Sequence, residues 1–72
     1  MSEPHVIDCL GQPCPVPVIE LARAIAGVPI GSDVVVLSDD PAAASDIAAW
    51  CRMRGHTLEE AAGTSYRVRR VS

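Results

Sequence analysis

The apolar and polar positions of this chain divide it into six short segments of two kinds. His5-Val6-Ile7-Asp8-Cys9 is a short apolar-rich run ended by Gly11 and Pro13, the pattern of a strand running into a turn. From Pro15 onward the period changes. Val18, Leu21, Ala22 and Ile25 recur at i, i+3, i+4 and i+7, which predicts a helix over residues 15–26 with one buried stripe. Glu20 and Arg23 fall on its other face, three apart and able to pair. Gly27 is placed to end the helix as its C′ residue, and Pro29 prevents continuation.

Asp33-Val34-Val35-Val36-Leu37-Ser38 carries four consecutive apolar residues and fits a strand flanked by neighbours or buried on both sides. Asp39-Asp40-Pro41 reads as a helix start, with Asp40 as the cap and Pro41 as the first helical residue. The second helix then covers residues 41–54, with Ala44, Ile47, Ala48 and Cys51 as its apolar stripe and Trp50 at the border. Arg52 and Arg54 lie in the last turn, where the helix dipole favours cations, and Gly55 terminates it. Residues 56–61 and 66–71 are weaker strands joined around Gly63-Thr64-Ser65, most simply as a hairpin. Tyr66 and Val68 share one face and Arg67 and Arg69 the other, so one side of that sheet is expected to be wet.

The resulting order is β-α-β-α-β-β. Right-handed crossovers place both helices on one face, giving a two-layer α/β (α+β) sandwich with a mixed four-stranded sheet. All 72 residues fit one domain, because a chain of this size buries only ~60% of its unfolded surface and supports a single core. That excludes separate cofactor and substrate domains and favours a carrier or a module that works with partners. In such a sheet the loops leaving the first two strands emerge at one carboxyl edge, where chemistry concentrates. Cys14 and the Asp39-Asp40 pair are therefore expected to be neighbours.

A net charge of −3, from six arginines and no lysine, argues against a nucleic-acid partner. The first residues lack the charged and apolar regions of a secretory signal, and no apolar run approaches the ~20 residues needed to cross a bilayer, so no membrane role is expected. Three cysteines (Cys9, Cys14 and Cys51) do not resemble a disulfide framework, and a reducing cytoplasm is the expected setting.

The chemistry centres on Gly11-Gln12-Pro13-Cys14-Pro15-Val16-Pro17. With Pro15 as the first helical residue, Cys14 becomes the N-cap, facing unpaired N–H groups and the positive end of the helix dipole. Helix N-termini lower a cysteine pKa from ~8.5 to between ~3.5 and ~7.5, so the expected species is a nucleophilic thiolate. Nearby Asp39 and Asp40 oppose this by raising the pKa, unless capping turns the carboxylate away.

These residues resemble the TusA/SirA-like sulfur-carrier family. The resemblance rests on Asp8-Cys9-Leu10-Gly11-Gln12-Pro13-Cys14-Pro15-Val16-Pro17 with its Cys-Pro-x-Pro signature, on Ser38-Asp39-Asp40-Pro41, on Asp46-Ile47-Ala48-Ala49-Trp50-Cys51, and on Gly55-His56-Thr57-Leu58. It implies the same β-α-β-α-β-β sandwich and a persulfide carried on Cys14, with Gly11, Pro15, Pro17, Asp39 and Asp40 in support. Sulfane sulfur would come from a donor of the cysteine desulfurase or rhodanese type and pass to an acceptor sulfurtransferase. Each step is a thiol-exchange displacement and calls for no metal and no organic cofactor.

Cys9 reads as a possible second thiol or as a strand-end residue packed under the loop, and Cys51 as core. A metal site from Cys9, Cys14, Cys51 and His56 has no usual zinc spacing. His5 and His56 read as ordinary strand-end residues, and Arg67, Arg69 and Arg70 as a solvated edge paired with Glu59 or Glu60. Two function classes remain: a sulfur carrier acting as a sulfurtransferase through Cys14, or a non-catalytic interaction or regulatory module in which Cys14 senses oxidants. A Cys9–Cys14 dithiol redox protein is disfavoured by the spacing.

Overall fold

The computed structural model describes residues 5–13 and 15–72. Its elements run β1 (His5–Asp8), α1 (Val16–Gly27), β2 (Asp33–Leu37), α2 (Ala43–Arg54), β3 (Thr57–Ala62) and β4 (Ser65–Arg69). The sheet order is β1-β2-β4-β3, with β1 parallel to β2 and β4 antiparallel to both β2 and β3. The expected mixed sheet and two helices are present, with α1 packed on β1, β2 and α2, and α2 on β3.

Register explains where the core sits. Val34 pairs with Val68 and Val36 with Tyr66. These four side chains of the two central strands are all buried, under Leu21 and Ile25 of α1 and Ile47 of α2. The alternate positions form the open face, where Asp33 lies opposite Arg69 and Val35 opposite Arg67. Arg67 and Arg69 therefore belong to an interior strand and not to a solvated edge. Their guanidiniums converge on Asp33 (Arg67 Nε to Oδ2, 2.7 Å; Arg69 Nε to Oδ1, 3.3 Å), and Arg69 also reaches Glu59 at 3.2 Å. A bulge in β3 between Leu58 and Glu60 gives Glu59 a position outside the regular pairing. Burial alone raises the Asp33 pKa, but hydrogen bonds from the arginines outweigh it and the net shift is downward.

Several boundaries differ from expectation. Helix α1 starts at Val16, and Pro15 holds the cap position with φ −99 and ψ 19. Cys14, expected as the cap, lies outside the described residues. At the other end Gly27 is the last helical residue and not a left-handed C′, and the chain leaves through Val28 in an extended conformation. The reason lies far along the chain: Arg70 donates through Nη1 to the carbonyls of Ala26 (3.3 Å) and Val28 (2.6 Å). A side chain from beyond β4 thus satisfies the helix end that a glycine turn was expected to close.

In α2 the buried stripe is Ala43, Ile47, Trp50 and Cys51, whereas Ala44 is exposed and Trp50 is core and not border. The regular helix begins at Ala43 with Ala42 at the cap position and no side-chain cap bond, so the expectation of Asp40 as cap and Pro41 as first helical residue is corrected: Asp40 forms a turn just ahead of the helix. Its carboxylate accepts the Ala42 N–H at 2.7 Å and its carbonyl accepts the Ala43 N–H at 3.0 Å. Gly55 closes α2 in the left-handed conformation (φ 76), as expected. The β3–β4 hairpin has the two-residue loop Gly63-Thr64, with Gly63 at φ 60.

Candidate functional site

The loops after β1 and β2 leave the sheet at the same end because the two strands are parallel and in register from His5–Val34 to Asp8–Leu37. Beyond the strand, Cys9 N–H still donates to the Leu37 carbonyl at 2.8 Å, carrying the pairing one residue further. The chain then turns. Leu10 N–H donates to Asp8 Oδ1 (3.0 Å) and Gln12 N–H to the Cys9 carbonyl (3.1 Å). Gly11, at φ 79, directs its N–H to Asp39 Oδ1 at 2.9 Å. Only glycine adopts that φ without cost, so the turn and its crosslink both require Gly11. The two loops are thus joined by a direct bond, while the expected closeness of Cys14 itself to Asp39 and Asp40 falls outside the described residues.

Asp39 is itself well supported. Its neighbour Ser38 is 1% exposed and donates its N–H to the Thr64 carbonyl at 2.8 Å. Ser38 Oγ accepts the Asp40 N–H at 3.3 Å.

The start of α1 offers fewer free amides than an ordinary helix. Pro15 and Pro17 have no N–H, Val16 donates to the Pro13 carbonyl (3.0 Å), and Ile19 donates to the Pro15 carbonyl (3.1 Å). The expectation of several unpaired first-turn donors is therefore corrected. Pro17 is among the fully buried side chains, while Pro13 and Pro15 are exposed. The second proline of the signature anchors the helix in the core and the first stands at the surface.

The other thiols lie in different surroundings. Cys9 is 1% exposed, and burial first, then the charges of Glu20 and Asp8, push its pKa up. Cys51 is 2% exposed and burial raises its pKa as well. Both shifts favour the thiol over the thiolate, which is the reactive form. No group of three or more His, Cys, Asp or Glu able to hold a metal occurs among the described residues.

An apolar groove missed by pattern reasoning opens beside Pro15. It has a volume of ≈ 320 Å³ and is lined by Pro15, Val18, Asp46, Ala49, Trp50 and Met53. Met53 is 77% exposed there. Its signal in the sequence is a methionine shortly before a strand, on the polar side of α2.

His56 is more than a strand-end residue. Its ring stacks on Trp50 with centroids 5.3 Å apart, and its Nδ1 accepts the Val71 N–H at 3.1 Å. Burial, then the charges of Arg70 and Arg54, lower its pKa.

The structure is a two-layer sandwich in which the sequence Cys14-Pro15-Val16-Pro17 leads from the turn after β1 into α1. The family model "Sulfurtransferase TusA" matches residues 5–70. A crystal structure of a SirA-like protein from Desulfitobacterium hafniense is similar, with 32% identity, a TM-score of 0.71, and coverage of 88% of this chain and 89% of that one. The chain belongs to the TusA sulfurtransferase family, whose members take part in sulfur relay with other proteins. No helix among the described residues is long and apolar enough to cross a membrane.

Proposed function

We propose that this protein is a sulfur carrier that accepts sulfane sulfur as a persulfide on Cys14 and passes it to an acceptor protein. In the first step the Cys14 thiolate attacks the outer sulfur of a donor persulfide. A sulfur–sulfur bond forms on Cys14 as the donor's bond breaks, and the donor leaves as a thiolate. In the second step an acceptor thiolate attacks the outer sulfur of the Cys14 persulfide and regenerates the Cys14 thiolate. Electrons balance in both steps without an external oxidant, and the rates depend on access and on the pKa values of both sulfurs.

The observation that carries this reading is the construction of the segment on either side of position 14. Gly11 ties the incoming chain to the β2–α2 loop, and Pro17 buries the outgoing chain in the core. Leu10, Gly11, Gln12, Pro13 and Pro15 are all exposed, so a partner protein can approach. Cys9 and Cys51 are buried with raised pKa values, which leaves Cys14 as the thiol suited to the work. The donor would be of the cysteine desulfurase or rhodanese type, the acceptor a sulfurtransferase, and the setting the cytoplasm.

The test is incubation with a cysteine desulfurase and cysteine, followed by intact-mass measurement. The wild type gains one sulfur atom and Cys14→Ser gains none. A non-catalytic interaction module would gain none in either form.

A further inference from the structure

We propose that Asp39 is a positioning residue for sulfur transfer: by accepting the Gly11 N–H it fixes where the loop toward Cys14 leaves the sheet. The inference deepens the carrier reading and rests on it.

Three observations lead there. First, residues 10–13 are exposed, so side-chain packing does little to hold this loop. Second, among the described residues the other hydrogen bonds of the loop are local. Leu10 bonds to Asp8 and Gln12 to Cys9, two and three residues back, which shapes the turn without fixing it to the body of the protein. The Gly11 bond spans 28 residues and reaches a different loop. Third, Asp39 follows a buried, hydrogen-bonded Ser38, so its own position is secured by the sheet. Gly11 stands three residues before Cys14, and an error in its position is carried to the nucleophile. Misplacement by about 1 Å can cost a reaction ~100-fold.

A carboxylate could also act through its charge, which would raise the pKa of a nearby thiol. The two roles separate in a pair of variants. Asp39→Asn keeps an oxygen acceptor and loses the charge, whereas Asp39→Ala loses both. The measurements are the rate of sulfur transfer from a persulfidated desulfurase to Cys14, and the rate of Cys14 exchange with glutathione disulfide. Two more are the pH midpoint of Cys14 alkylation and the exchange protection of the Gly11 amide.

Positioning predicts that Asp39→Ala transfers sulfur about tenfold more slowly, within the range that misplacement allows. Asp39→Asn then stays within about threefold of wild type, as expected when the acceptor geometry is kept. Gly11 loses protection in Asp39→Ala only, and any change in pH midpoint is common to both variants because both remove the same charge. Equal slowing of the two variants, or wild-type transfer in Asp39→Ala, overturns the proposal. If the wild type takes up no sulfur, the carrier reading fails. The disulfide-exchange rates of the same variants then still decide the Asp39 claim: a slowed Asp39→Ala beside a normal Asp39→Asn supports it, and parity overturns it.

Discussion

The Arg70 guanidinium sits 2.6 Å from the Val28 carbonyl, so the residue that follows β4 closes the end of α1. The same side chain reaches the Ala26 carbonyl, and its backbone joins the Ser32 carbonyl and the Gly31 N–H. This places a positive charge at the negative end of a helix that has no basic residue in its own last turn. Arg70→Ala is expected to cost about 1–2 kcal/mol, the range for losing a partly exposed charge-assisted hydrogen bond, with little change in the reactivity of Cys14 at the far end of α1. Urea denaturation checks the first and alkylation kinetics the second.

Asp33 makes stability depend on acid. Its folded pKa is lowered, so its contribution is fully present above the unfolded value of ~3.9 and is lost as pH falls through the folded pKa. Asp33→Asn is therefore expected to lower the denaturation midpoint at neutral pH, and the gap from wild type should close in strong acid. Urea titrations at neutral pH and in strong acid measure both limbs.

His56 acts at a higher pH. Its folded pKa also lies below the unfolded value, ~6.5, so stability is full above that value and declines as pH falls through the folded pKa. Protonation removes the acceptor for the Val71 N–H and adds a cation beside Arg70 and Arg54. His56→Gln, which cannot titrate, should flatten the slope of melting temperature between about pH 7 and pH 5. A slope equal to that of the wild type would show that His56 does not set it.

Gly11 tests the loop from its other side. Its φ of 79 is unfavourable for any side chain, and nothing lies within 4 Å of an added Cβ, so the cost of Gly11→Ala is conformational and not steric. It is expected to lose about 1–2 kcal/mol, or to relax the turn and weaken the bond to Asp39. Denaturation combined with amide exchange at residue 11 distinguishes the two.

The fold was legible because its signals are local. The period change after Pro15, the alternation of Tyr66-Arg67-Val68-Arg69 and the Gly55 stop of α2 each appear in a few adjacent residues. So was the meeting of the two loops, since parallel strands with right-handed crossovers send them to one edge. What could not be read depends on partners distant in the chain. Gly27 has the composition of a helix terminator, but its role passed to Arg70. Ala43 and Ala44 are equally apolar, and the rotation of α2 against the sheet decided which is buried. The Asp39–Gly11 bond spans 28 residues, and the amide supply at α1 depended on a turn back to Pro13 that composition does not reveal.

The carrier account depends on which sulfur receives the cargo. After loading from a desulfurase, the protein is fragmented in a mass spectrometer and the added sulfur is assigned to a residue. The account predicts one extra sulfur on Cys14 and none on the buried Cys9 or Cys51. An added sulfur on either buried cysteine, with Cys14 unmodified, would contradict it.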